Sequence, residues 1–190
     1  MRGAALALLS FGACIGACEA AEPVIDEATE YRDISGDSQA ALSAALERIA
    51  QSMPVGHRYY ADTHWQLSWN FRVESDDDGC HLSSATTALN VRTTLPRWTA
   101  PAKAPADLIK RWNAFSAALR THEDGHRRIA VDAAQAIADR VNKAAPSRDC
   151  ATLKQAIGTL AQSILDDYRA KELDYDTTTD HGRKQGAVFP

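Results

Sequence analysis

After its first twenty residues the chain has no run apolar enough to cross a bilayer as a helix, and it carries no internal repeat or low-complexity tract. A transmembrane bundle and a repeat array are therefore not expected. An excess of basic charge is also missing. The 21 Lys and Arg stand against 25 Asp and Glu, for a net charge of −4 and a pI near 5.8. With no basic stripe to meet phosphates, nucleic acid is not the expected partner, and the Arg127-Arg128 pair reads as a solvated face. Cysteine is scarce: four in 190 residues, with Cys14 and Cys18 both near the N-terminus.

What the first twenty residues do contain is a short positive segment, Met1-Arg2-Gly3, followed by the apolar run Ala4 to Ile15. That run is too short to span a membrane and reads as the core of an export signal covering residues 1–20. Ala20 or Ala21 would end an ordinary cleavage site. The alternative is a lipoprotein-type cut before Cys18 in Ile15-Gly16-Ala17-Cys18, which would leave a lipid anchor there. Ordinary secretion is favoured, because Ile15 stands three residues before Cys18 in a Gly-rich run. Removing the signal leaves Cys80 and Cys150, most simply read as one disulfide in an oxidising compartment. Cys80 and His81 as joint metal ligands is a weaker reading, since adjacent side chains do not easily reach one ion. Residues 31–190 form one expected domain, preceded by a flexible stretch at 21–30.

Along that domain, Tyr31 to Ile34 could be a short strand, and a helix from about Ser38 to Gln51 is expected to end at Pro54 and Gly56. From Trp65 to Glu74 apolar and polar residues alternate without a break, as in a half-buried strand. Ser75-Asp76-Asp77-Asp78-Gly79 makes a polar turn, and Ala85 to Leu95 repeats the period of two, so an antiparallel hairpin is predicted. The three Asp read as a hairpin tip rather than a calcium loop, whose spaced ligands are absent. Pro96, Pro101 and Pro105 mark a linker with Trp98 as a core anchor. A second helix covers 106–144, with Leu108, Trp112, Phe115, Leu119, Ile129, Ala133 and Ile137 in one stripe, and a last helix covers about Ala151 to Leu173.

Inside the long helix lies His122-Glu123-Asp124-Gly125-His126, an HExxH motif. Residues four apart share a helix face, so both imidazoles can grip one divalent metal while Glu123 reaches a water on it. The plain reading, two helix-face histidines bonded to backbone carbonyls, is weakened by the glutamate between them. Gly125 costs about 1 kcal/mol relative to Ala inside a helix and so has a packing or functional reason. The fold class that follows is α+β and zincin-like. A small antiparallel sheet packs on the long HExxH helix, with an N-terminal and a C-terminal helix beside it.

Zinc in a catalytic site usually takes three protein ligands, so a third must be found. A metzincin continuation would need Gly at 129 and His at 132, where Ile129 and Asp132 stand. Glu172 is the only later glutamate but sits near a helix end. The tail from Tyr175 to Gly182 is rich in ligand types, with His181 the first candidate and Asp176 the second, unless it is simply a frayed terminus.

Several segments together resemble a known family: Trp65-Gln66-Leu67-Ser68-Trp69, Thr94-Leu95-Pro96-Arg97-Trp98, Arg111-Trp112-Asn113, the HExxH motif with Ile129-Ala130, and the tail Tyr175-Asp176 through His181-Gly182. From about Tyr31 to Pro190 the chain is similar to the predicted secreted zinc-dependent proteases of bacteria, a family also grouped as a bacterial domain of unknown function. The resemblance implies an exported protein with a metallopeptidase-like helix and functional weight on the tail, but no substrate.

On this reading one Zn2+ held by His122, His126 and His181 acidifies a water, and Glu123 acts as general base. Tyr175 or Arg183 would supply the oxyanion donor. The partner is a peptide or protein substrate, paired along a hairpin edge. Two other readings stay open. One is a non-catalytic zinc-binding envelope protein in which the metal staples the tail to the helix, and the other is an interaction module that carries the motif by chance.

Overall fold

A computed structural model describes residues 22–52 and 59–189. The export signal read over 1–20, the cut before Cys18, and the helix stop at Pro54 and Gly56 lie outside the described residues. The elements in chain order are β1 (Val24–Ile34), α1 (Gln39–Ser52), β2 (Asp62–Asp76), β3 (Gly79–Trp98), α2 (Ala106–Asn142), α3 (Cys150–Thr179) and a 3-10 turn at Arg183–Gln185. The architecture is α+β. Among the described residues no helix is long and apolar enough to cross a membrane.

The expected hairpin is present and longer than the alternation implied. β2 and β3 pair antiparallel from Asp62↔Thr94 to Asp76↔Gly79, with a register shift between Arg72 and Val73. The tip is tight because the Asp76 carboxylate accepts the Asp78 backbone N–H at 3.0 Å. The sheet is not purely antiparallel. β1 adds a third strand on the far side of β3, parallel to it from Val24↔Ala88 to Ile34↔Trp98, so the order is β1-β3-β2. This corrects the flexible stretch expected at 21–30, which from Val24 onward is strand. Nearly every residue of β1 is exposed, so it carries no buried alternation to read. Ion pairs to β3 support it, Asp26 with Arg92 at 2.6 Å and Asp33 with Arg97. Pro96, expected in a linker, lies within β3. Beyond Thr94 β2 no longer pairs, so the proline falls where β3 has β1 alone as neighbour and its missing N–H is tolerated.

α2 runs 37 residues, about 55 Å, and its buried stripe continues unbroken from Leu108 to Val141. Its N-terminal part packs Trp112, Phe115 and Leu119 with Leu42 and Leu46 of α1 and with Trp98, the anchor the sequence suggested. In its middle the stripe becomes alanine. Ala130 and Ala134, both fully buried, bring the helix close against Leu89 and Val91 of β3. That close approach sets Glu123, two turns earlier on the same helix, against Thr63 at the start of β2.

α3 folds back along α2 after a short turn. Asp149 caps its N-terminus, its carboxylate accepting the Thr152 backbone N–H at 2.7 Å. Cys80 and Cys150 form a disulfide, and beside it Cys80 and Ser147 exchange two backbone hydrogen bonds, 2.6 and 2.8 Å long. The hairpin tip is thus tied to the turn between the long helices. Removing the bridge by Cys80→Ser/Cys150→Ser frees a loop spanning 70 residues and should lower unfolding free energy by about 2–4 kcal/mol, read as a fall in the guanidinium midpoint.

Candidate metal centre

His122, Glu123 and His126 occupy beats of an otherwise apolar stripe between Leu119 and Ala130, and are 4%, 4% and 7% exposed. Helical spacing places the two imidazoles on one face with Nε2 atoms 3.2 Å apart. From α3, Asp176 directs Oδ1 to 3.1 Å from His126 Nε2 and 3.3 Å from His122 Nε2. The three atoms form a nearly equilateral triangle, and this group could hold a metal ion.

The other ring nitrogens are also engaged. His126 Nδ1 meets Glu172 Oε2 at 3.2 Å, and His122 Nδ1 meets Gln185 Oε1 at 3.0 Å. Both partners are acceptors, so a ring that gives its Nε2 lone pair to a metal can keep its remaining proton on Nδ1, where that acceptor stands. Gln185 is itself held, because its amide donates to the Tyr175 hydroxyl at 3.1 Å while that hydroxyl donates to the His122 carbonyl at 3.2 Å. The Tyr175 ring stacks on His122 with centroids 5.1 Å apart.

Two glycines are explained by these contacts. A Cβ on Gly125 would lie 2.1 Å from the Tyr175 hydroxyl, so the missing side chain is where the tyrosine rests. Gly182 has φ +78°, and a Cβ there would meet His122 Cγ at 2.9 Å. The glycine inside the motif thus makes room for the ring that stacks on His122, and the one in the tail makes room for His122 itself.

Glu123 is gripped from the sheet. The Thr63 hydroxyl, at the start of β2, lies 2.8 Å from Glu123 Oε2 and 3.1 Å from the cross-strand Thr93 hydroxyl. Burial pushes the Glu123 carboxyl above its ordinary pKa, against the Thr63 hydrogen bond and the charges of His126 and His122. Burial works against the charged form of His126, but hydrogen bonds to Asp176 and Glu172 overcome it and raise the imidazole from 6.5 to about 10. Burial likewise favours neutral Asp176, yet hydrogen bonds from His122 and His126 hold the carboxyl well below the ordinary carboxylate range.

A cavity of about 470 Å³ opens over this group. His181 lies on its wall in the left-handed backbone region, with φ 50°. Its Nδ1 is 3.3 Å from Asp176 Oδ1 and its Nε2 is 3.2 Å from the Tyr59 hydroxyl. It stands beside the triangle, and Asp176 takes the third corner that His181 was expected to fill. Tyr175, expected as an oxyanion donor, is absent from the cavity lining, and its hydroxyl is bonded to His122 and Gln185. These bonds and the ring stacking hold it against His122. Arg183, the other donor considered, does line the cavity and pairs with Asp180 at 3.3 Å.

Sequence reasoning missed Thr63, Gln185 and Tyr59, for which no local pattern exists. It also stopped the last helix at Leu173. The helix continues through Thr179, so Glu172 and Asp176 lie one turn apart facing His126. The usable signal was that i, i+4 pair of carboxylates.

Residues 29–182 match the family described as bacterial protein of unknown function (DUF922). No curated protein and no solved structure matches the chain.

Because His126 carries a proton in the metal-free protein up to about pH 10, metal uptake near pH 7.5 should release about one proton. Calorimetric titrations in buffers of different ionisation enthalpy read this number, and a release near zero would contradict the assignment. The raised folded value also fixes a sign. The contribution to metal-free stability is full below the unfolded value of 6.5 and is lost as pH rises through about 10, so the midpoint of denaturation should fall across that window. Gly125→Ala should destabilise the protein despite the gain in helix propensity, while the same change in a Tyr175→Ala background should not, as thermal unfolding of the four proteins will show.

Proposed function

The chain belongs to DUF922, a bacterial family of unknown function, and we propose that this member is an exported zinc-dependent peptide hydrolase of the zincin type. The observation that carries the reading is the triangle of His122 Nε2, His126 Nε2 and Asp176 Oδ1, with edges of 3.1 to 3.3 Å, beside buried Glu123 on the floor of an open cavity. Ligands bound tetrahedrally at about 2.0 Å are separated by about 3.3 Å, so the donor set and its spacing fit zinc. Three protein ligands leave one position for water or substrate, as a catalytic site requires and a structural one does not. Zinc bound there supplies a Lewis acid that brings the pKa of water down toward about 7.

The remaining chemistry belongs to side chains of the chain itself. Thr63 occupies Glu123 Oε2, which leaves Oε1 to accept a proton from the attacking water and deliver it to the leaving amine. Burial raises the pKa of Glu123, which strengthens it as a proton acceptor. Glu172 and Gln185 keep the imidazole protons on Nδ1, so neither ring turns away from the ion. Arg183 is the cation on the cavity wall that can face a developing oxyanion.

The alternative of a metal that merely staples the tail is less well supported. The tail is already held to α2 by the Tyr175 hydroxyl on the His122 carbonyl and by Gln185 on the His122 ring, so that connection exists without an ion. The Cys80–Cys150 disulfide supports an oxidising, extracytoplasmic setting.

Metal analysis and peptide cleavage on four proteins test the reading. Wild type should bind about one zinc. Glu123→Gln should keep it and lose cleavage by about 10²-fold or more, Asp176→Ala should lose zinc, and His181→Ala should retain it. A zinc-free wild type, or undiminished cleavage by Glu123→Gln, would sink the proposal.

A further inference from the structure

The cavity has two chemically different ends. Toward the C-terminal side of Glu123 lie His126 and the α3 carboxylates Glu172 and Asp176. Asp62 also belongs to the reacting end, since its charge acts on Glu123. On the other side, one helical turn back along α2, the lining becomes Leu119, Tyr60, Ala61, Ala187, Val188 and Phe189. Three separate segments converge here: the α2 stripe, the chain entering β2, and the C-terminal segment after the 3-10 turn.

We infer that this apolar end is the side-chain subsite of the proposed hydrolase, and that it selects peptides with a large aliphatic or aromatic residue flanking the scissile bond. The inference rests on the reading of the site as an open zinc centre. The walls are preformed by core packing. Phe189 sits 5.4 Å from Phe115 and 5.8 Å from Trp112 between ring centroids, and Tyr60 meets Phe115 edge-on at 5.9 Å. Leu119 and Ala187 are 6% and 8% exposed and form the depth of the subsite, whereas Val188, at 49%, forms its mouth. The nearest cation, Arg183, is shared between Asp180 and, in the proposed reaction, the oxyanion, so it is not spare for an acidic side chain. Leu119 lies about 5–6 Å along the helix from Glu123, a distance that matches the step from a reacting carbonyl to an adjacent side chain. Apolar lining with few polar groups close to the chemistry is how such pockets recognise a side chain.

Ala187, Val188 and Phe189 lie beyond residues 29–182, the part of the chain matched to the family. The metal triangle and Glu123 lie within it. The subsite is therefore shared between that part, which supplies Leu119, Tyr60 and Ala61, and the C-terminal segment beyond it.

Binding of simple hydroxamates to the zinc-loaded wild-type protein, followed by calorimetry, tests the subsite without relying on turnover. 3-Phenylpropionohydroxamate should bind at least about tenfold more tightly than acetohydroxamate, and the anionic monohydroxamate of succinic acid should show no such gain. Val188→Asp, a substitution at the exposed mouth, should reduce the phenylpropiono-to-aceto ratio to below about threefold. Equal affinities for all three probes, or an anionic preference, would overturn the subsite while leaving the zinc centre intact. Failure of acetohydroxamate to bind would instead overturn the open zinc centre, and the subsite with it.

Discussion

Three ionisable side chains on the apolar face of α2 are the constraint to which the surrounding structure responds. His122, Glu123 and His126 interrupt a stripe that otherwise reads Leu119, Ala130, Ala134 and Ile137. Burying such groups is costly unless each is hydrogen-bonded, and three neighbouring segments contribute partners. β2 brings Thr63, α3 brings Glu172 and Asp176, and the C-terminal turn brings Gln185. The placement of these segments on α2 follows from which atoms they must satisfy. The alanines farther along the helix let the sheet come close enough for Thr63 to reach.

In the metal-free molecule the same cluster balances its own charge. A protonated His126 stands between two carboxylates, and Asp176 remains an anion against both imidazoles. The His126 proton takes the electrostatic place that a cation would, and the ligand atoms already stand at short range. A metal held by this group would require little rearrangement, because the cost of ordering three side chains falls on folding.

What was legible in the amino-acid sequence is what leaves a periodic or arithmetic trace. The stripe from Leu108 to Ile137, the alternation from Trp65 to Val73, and the two cysteines beyond the first twenty residues pointed to the long helix, the hairpin and the disulfide. β1 left no such trace, because its residues Val24 to Glu30 are exposed on both faces and an acidic run does not look like a strand. The end of α3 was hidden by Thr177, Thr178 and Thr179, poor helix formers whose hydroxyls here turn back onto carbonyls such as Leu173 and Tyr175. With the helix ended too early, Asp176 and His181 looked equivalent. Its true length puts Asp176 on the face toward His126 and leaves His181 past the cap. Thr63 and Gln185 are single polar residues whose importance exists only in three dimensions.

The parallel pairing of β1 with β3 also bears on how the chain acquires its structure. Val24 has no partner until Ala88 exists, and Ile34 none until Trp98. As the polypeptide is made from its N-terminus, its first strand must wait through α1 and the whole hairpin before its hydrogen bonds can close. Such a long-range closure is slow, whereas β2–β3 and α2–α3 are hairpins of neighbours that can form early. During that wait β1 is an open edge, and its acidic residues Asp26, Glu27, Glu30 and Asp33 are the kind of charge that discourages a strand from pairing with a stranger. The polarity that made β1 unreadable as a strand thus protects it while it is still alone.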